Sequence, residues 1–144
     1  MPQREDFADG RDYNKAVAEE FRANEGQVTG DFAGRNLLLL TTTGARSGRA
    51  HVTPLGYSLD GGRLVVSAAA GGAPNHPDWY HNLVADPIVT VELGTETFQA
   101  RATVSSGAER QRLGVERAKT NPNFVRNQAR ANREIPLIWL DRVS

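Results

Sequence analysis

The side chains best placed for chemistry stand in three groups along the chain. The first is Gly44-Ala45-Arg46-Ser47-Gly48-Arg49, a turn carrying two guanidinium groups, a hydroxyl and free backbone N–H groups. Such donors suit the oxygens of a phosphate or a carboxylate, although a hairpin tip with solvated arginines has the same composition. The second is Gly71-Gly72, followed by a helix start at Asn75. Missing side chains there let a ligand approach the backbone, and unpaired N–H groups favour an anion; a tight loop reads the same way. The third is Trp79-Tyr80, which could flank a flat ring and whose helical spacing equally fits a core. Together the three groups suit an elongated anionic ligand.

Other chemistries lack their residues. His51, His76 and His81 have no carboxylates or cysteines beside them at ligand spacing, so no metal site is expected. The chain has no cysteine, which removes disulfides, thiolate nucleophiles and iron–sulfur clusters; redox work would need a bound cofactor. There is no Gly-x-Ser-x-Gly elbow, Walker loop or Gly-x-Gly-x-x-Gly after a strand. The 17 Lys+Arg balance 17 Asp+Glu, so no whole-molecule field attracts nucleic acid or an anionic membrane. The balance hides segregation, because residues 35–63 hold four arginines against Asp60 alone, between two stretches of net negative charge. Further on, Arg110, Arg112, Arg117, Arg126 and Arg130 read as the solvated face of amphipathic helices rather than a dock for an acidic partner. The longest aliphatic run, Leu37 to Leu40, falls far short of the roughly 20 apolar residues of a membrane span. The start MPQREDFADG is too polar for a signal peptide, so a cytoplasmic protein is expected.

The elements that must position these groups follow from periodicity and punctuation. A length of 144 residues fits one domain, expected over 12–144 behind a polar, poorly ordered stretch at 1–11. Tyr13, Val17 and Phe21 fall one helical turn apart, predicting a helix over Asp12–Glu25 with Asp12 as N-cap and Gly26 as stop. Leu37 to Thr43 predicts a strand buried on both faces. Arg49 to Leu59 predicts a second, with Pro54 marking an edge, bulge or bend. Asp60-Gly61-Gly62 turns the chain into a third, Arg63 to Ala69. A short helix over Asn75–Ala85 follows, with Asn75 as cap and Pro77 in its first turn. Ile88–Leu93 and Thr97–Val104 predict a hairpin. Ser105 or Ser106 can cap a helix reaching about Lys119, and Asn121-Pro122 opens another to about Asn132. Ile135–Leu140 is the sixth strand. Six strands, mostly in hairpins, predict a mainly β fold: an antiparallel sheet closing into a small barrel with helices packed outside.

The order of these motifs carries a resemblance. Leu-Leu-Leu-Leu-Thr-Thr-Thr-Gly-Ala-Arg-Ser-Gly-Arg (37–49), Thr-Pro-Leu (53–55), Asp-Gly-Gly-Arg-Leu-Val-Val (60–66), Gly-Gly-Ala (71–73) and Pro-Asp-Trp-Tyr-His-Asn-Leu (77–83) resemble the deazaflavin-dependent nitroreductase family. Ala85-Asp86-Pro87 and Arg133-Glu134-Ile135-Pro136 continue the match over nearly everything after the first helix. The resemblance implies a six-stranded split β-barrel, akin to FMN-binding split barrels, and coenzyme F420 as cofactor. That cofactor joins a flat tricyclic head to a ribityl, phosphate and lactyl tail ending in glutamates. By the resemblance, Arg46, Ser47 and His51 hold phosphate and glutamate oxygens. Thr53, Pro54, Leu55, Ala68, Ala69, Ala70, Gly71 and Gly72 line the ring, and Trp79, Tyr80 and Asn82 frame the groove.

The cofactor supplies the chemistry, because a deazaflavin has carbon at the reactive position and passes a hydride. No catalytic side chain is assigned. Nitroimidazole-reducing relatives carry tyrosines where this chain has Asn121, Phe124 and Asn127, the expected substrate pocket. They carry a serine and a lysine where it has Ala69 and Ala70. The expected acceptor is therefore a small electron-poor molecule, an activated C=C bond, a quinone or a nitro compound. A protein that sequesters the deazaflavin without turnover, or a split barrel using FMN, are the competing readings. Exposed strand edges leave room for a homodimer.

Overall fold

The computed structural model describes residues 2–143. β1 (Leu37–Thr43) has cover on both faces, which is why Leu37 to Leu40 are all buried. Leu38 and Leu40 point into the central core, while Leu37 and Leu39 lie under α1 (Gly10–Ala23), the alternation a strand imposes. Across the sheet the order is β2 (Ala50–Gly56), β1, β5 (Ile88–Leu93), β6 (Glu96–Val104), β7 (Leu137–Arg142), β4 (Arg63–Ser67) and β3 (Ser58–Asp60). Every neighbouring pair is antiparallel.

The strand expected over Arg49–Leu59 is two strands, which makes seven rather than six. β2 and β3 occupy opposite edges of the sheet, yet Tyr57 alone separates them in the chain. One residue advances the chain by only about 3.3–3.8 Å, so the sheet curls until its two edges meet. That covalent link, rather than a seventh set of ladder bonds, brings the barrel's edges together. The break falls at Tyr57, whose N–H donates to the Asn36 carbonyl at 3.1 Å. Pro54 sits within edge strand β2, where a missing donor is tolerated.

Three apolar clusters hold the helices to this sheet. The inside of the curl contains Leu38, Val66, Val91, Ala100 and Ile138, and α2 (Asp78–Ala85) inserts Trp79 and Leu83 among them. The outer face of β4 and β7, carrying Val65, Leu137 and Trp139, is covered by Leu113 of α3 (Gly107–Thr120) and Phe124 of α4 (Pro122–Ala131). Tyr13, Val17 and Phe21 seat α1 on the outer face of β1.

The helix starts differ from the expected caps in three places. Asp9, not Asp12, caps α1, accepting the Arg11 N–H at 2.8 Å, and the helix already includes Gly10. Pro77 precedes α2 and no side chain caps it; Asn75 stays in the loop, its carbonyl bonded to Arg133 at 3.3 Å. Ser106 occupies the N-cap position of α3 but its side chain makes no cap bond, and Ser105 Oγ instead donates to the Leu137 carbonyl at 2.7 Å. Asn121 does cap α4, accepting the Phe124 N–H at 3.1 Å. Ahead of α1, Arg4–Asp6 forms a 3-10 turn whose Arg4 N–H donates to Asp31 at 2.8 Å.

A polar cluster fastens α3 to the β3–β4 hairpin and gives the fold an acid limit. Asp60 accepts both terminal nitrogens of Arg112, at 2.9 and 3.1 Å, and the Trp139 indole N–H at 3.0 Å. Those bonds, Arg112's foremost, hold the Asp60 carboxyl down to about 2. An unfolded aspartate titrates near 3.9, so the unfolded chain binds the proton first. The associated stability is present above about pH 4 and is lost as pH falls toward 2. Unfolding followed by tryptophan fluorescence should show this acid loss, and Asp60→Asn should flatten part of it. An unchanged acid limb would contradict the assignment.

Candidate functional site

Because α1 buries the stripe Tyr13, Val17 and Phe21 against β1, a neighbouring stripe at Arg11, Asn14, Lys15 and Arg22 faces along the sheet's outer surface. Opposite it run the 44–49 turn, the first half of β2, and the start of α2. Between them lies a groove of about 1000 Å³. Arg22 is committed to Glu92, through two bonds of 2.8 Å. Among the described residues, Arg11, Lys15 and Arg46 make no ion pair, and the groove's acids are Glu19 and Asp78.

The turn's shape comes from its glycines and from one buried amide. The Gly44 N–H donates to the Arg49 carbonyl at 2.7 Å, and the Gly48 N–H to the Gly44 carbonyl at 2.9 Å. The Arg49 N–H donates to Ser47 Oγ at 3.1 Å. Among the described residues, the N–H groups of Arg46 and Ser47 are left without a protein partner. Gly44 is required by close approach: a Cβ there would stand 2.5 Å from Ser47 Oγ and 2.8 Å from His51 Nε2. Ser47 Oγ and His51 Nε2 are themselves 3.5 Å apart.

Asn82 ties the turn to α2 and β1. Its Oδ1 accepts the Ala45 N–H at 3.0 Å in a partly buried setting, and its Nδ2 donates to the buried Thr42 Oγ1 at 3.1 Å. Asn82→Leu keeps the volume and removes both bonds, leaving the buried Thr42 hydroxyl without its donor. The expected cost is about 1–3 kcal/mol of stability, read as a lower denaturant midpoint. A midpoint within error of the parent would show that the amide positions nothing.

The small-residue loop is a separate construction. Ala70, Gly71 and Gly72 take φ of 48, 65 and 85°, three left-handed residues in succession. A Cβ on Gly72 would meet the Arg130 side chain at 3.1 Å and the Asn127 carbonyl at 3.2 Å, so this glycine lets the loop rest on α4. The Arg133 guanidinium spans the loop's two ends, donating to the carbonyls of Ala68, Ala69, Ala73 and Asn75 and to His76 Nδ1. His76 stacks obliquely on Tyr80, ring centres 4.5 Å apart. Burial, with help from the Arg133 charge, pushes the His76 pKa below its ordinary value.

Of the expected cofactor-binding residues, Arg46, Ser47, His51, Thr53, Trp79 and Asn82 line the one groove. Pro54 is buried, and Leu55 and Tyr80 pack against the central core. Ala68 belongs to that core, Ala69 packs toward α3 and α4, and Ala70 to Gly72 form the loop. Asn121, Phe124 and Asn127 do not line the groove. Asn121 is spent on its cap, Phe124 is buried beside Leu113, and Asn127 backs Gly72. Sequence reasoning missed Arg11, Asn14 and Lys15, whose i, i+3 and i+4 spacing marks a polar stripe beside the apolar one. The grip of Arg133 on the loop was missed as well, although Arg133 opens the Arg133-Glu134-Ile135-Pro136 motif.

Comparison with known proteins agrees in one direction. Residues 13–141 match the family described as F420H(2)-dependent quinone reductase. The F420H(2)-dependent quinone reductase of Mycobacterium tuberculosis (strain ATCC 25618 / H37Rv) is 37% identical over 108 residues, covering 73% of this chain and 72% of that protein. A solved F420-H2 dependent reductase superposes with a TM-score of 0.66 at 32% identity, over 74% of this chain and 95% of its own. Another solved structure, described as a domain-swapped dimer, gives 0.69 at 29% identity, over 88% and 93%. No helix among the described residues is long and apolar enough to cross a membrane.

Proposed function

This chain belongs to the F420H(2)-dependent quinone reductase family, and from that premise we propose that its groove beside α1 holds the anionic tail of coenzyme F420 while the protein reduces a quinone. The observation that carries the reading is the set of uncommitted donors on one groove: the Arg46 guanidinium, the N–H groups of Arg46 and Ser47, and the cations Arg11 and Lys15. That set fits phosphate and carboxylate oxygens.

When bound and reduced, the deazaflavin supplies a hydride from carbon. Arg46 and Ser47 would grip tail oxygens, with His51 and Thr53 next along β2 and Trp79 and Asn82 across the groove. The 68–72 loop, bare of side chains beyond Cβ, would lie against the ring. Ala69 and Ala70 bring no proton donor of their own. The protein's part is then to bind, orient and exclude competing geometries.

The test is acceptor-dependent return of the oxidised coenzyme's absorbance, with a quinone, an enone and a nitroimidazole offered in parallel. Repeated turnover fastest with the quinone is expected. Tight binding with no turnover on any acceptor would favour sequestration and overturn the enzymatic reading.

A further inference from the structure

We propose that Arg133 is a positioning residue for the ring-facing loop, and that it can hold the loop only while His76 is neutral. The inference rests on the placement of the deazaflavin ring against residues 68–72 given above. Ala70, Gly71 and Gly72 all have positive φ, and at Ala70, which has a Cβ, that conformation is strained. A loop of this shape does not hold itself. Within residues 68–75 the internal bonds are the short turn contacts from the N–H groups of Gly72 to Ala69 O and of Ala73 to Ala70 O.

Arg133 supplies the external hold. Its Nε donates to the Ala73 carbonyl at 3.1 Å, and one terminal nitrogen is shared among the carbonyls of Ala68 and Ala69, both at 3.2 Å, and Asn75 at 3.3 Å. The other terminal nitrogen lies 2.9 Å from His76 Nδ1. Both ends of the loop therefore hang from one planar group, while Arg130 reaches only the Gly71 carbonyl, at 3.4 Å. Among the described residues no carboxylate forms a salt bridge with Arg133. Its charge is met by four carbonyls and an imidazole.

That imidazole must be an acceptor, because a guanidinium has only donors. The His76 proton therefore sits on Nε2, and Nδ1 carries a lone pair toward Arg133. A second proton would turn the 2.9 Å hydrogen bond into the contact of two cations. The groups around His76 do nothing to ease this: Arg133 faces it from the segment before β7, and Tyr80 and His81 face it from α2, with ring centres at 4.5 and 5.8 Å. None is an acid. The lowered His76 pKa, caused first by burial and then by Arg133 and His81, agrees with this geometry.

The experiment compares the parent with His76→Asn and Arg133→Gln. Asparagine keeps an acceptor near the Nδ1 position and cannot take a proton. Two readouts are followed from pH 8 to pH 5: amide hydrogen exchange of residues 68–75 without ligand, and the dissociation constant of the tailless deazaflavin chromophore. Each is expressed as the ratio of parent to His76→Asn, which cancels titration of the ligand itself and the intrinsic pH dependence of exchange. The expected result is a ratio near one at pH 8. As pH falls below the ordinary histidine value, exchange should quicken and affinity weaken in the parent alone, by about tenfold or more at pH 5. Arg133→Gln should show the fast-exchanging loop at every pH. Ratios flat across the range would overturn the proposal, and His76→Asn decides this even if Arg133→Gln fails to fold. If F420 does not bind the parent, the functional reading fails on its own, while loop exchange still tests the clasp.

Discussion

Replacing Arg46 with alanine is expected to weaken binding of full-length F420 by about 10- to 100-fold and to leave the tailless chromophore within about twofold. The magnitude is that of a hydrogen bond to a charged partner, about 1.5–3 kcal/mol, at about 1.4 kcal/mol per decade of affinity. The asymmetry matters more than the size. Arg46 is exposed, makes no ion pair among the described residues, and stands in a turn whose fold depends on Gly44, Gly48 and Asn82 rather than on its own side chain. Its loss should therefore leave unfolding unchanged. Titration of the two ligands into parent and variant decides the matter, and equal losses for both would remove Arg46 from the tail site. Because the contact is electrostatic and open to solvent, the parent's preference should also shrink as salt rises.

Gly44→Ala is expected to be the second large effect, arising from crowding rather than lost charge. The new Cβ would stand 2.5 Å from Ser47 Oγ and 2.8 Å from His51 Nε2, below any ordinary contact. Both groups must swing away, and Ser47 cannot do so while it still accepts the Arg49 N–H. The turn then loses its Ser47 bond, though not its two backbone bonds, and the groove loses two of its facing groups at once. A loss of about 1–3 kcal/mol in stability is the usual scale for such overpacking, with roughly tenfold weaker F420 binding alongside. Denaturant unfolding and cofactor titration measure the two separately. A variant that binds as tightly as the parent would show that Ser47 and His51 are not where the tail is held.

Much of the fold was legible because its signals are local. The boundaries of β1 follow from four leucines and three threonines set between Gly34 and Gly44, and the β5–β6 hairpin follows from alternation around Gly94-Thr95. The split at Tyr57 was not legible. Leu55, Tyr57 and Leu59 keep a period of two straight through the break, and what changes at Tyr57 is which distant strand the chain pairs with. Asp9 and Asp12 are equivalent as caps until Gly10 is known to be helical.

The site divides in the same way. Arg46, Ser47 and His51 are close in sequence, and the turn that gathers them is short. Arg11 and Lys15 face the groove only because α1 lies on β1 with Tyr13, Val17 and Phe21 down, a relation set by packing across some twenty residues of chain. Asn121 and Phe124 illustrate the converse: residue types that could line a pocket are consumed by a helix cap and by the cluster under α4. Arg133 is more than fifty residues from each group it holds.

Whether this groove and loop select a deazaflavin with an anionic tail is decided by titrating the protein with F420 and with FMN under identical conditions and following ligand and tryptophan fluorescence. Saturable one-to-one binding of F420 is expected, with Trp79 at the groove reporting it, and FMN at least tenfold weaker. FMN binding as tightly as F420, or saturable binding of neither, would contradict it.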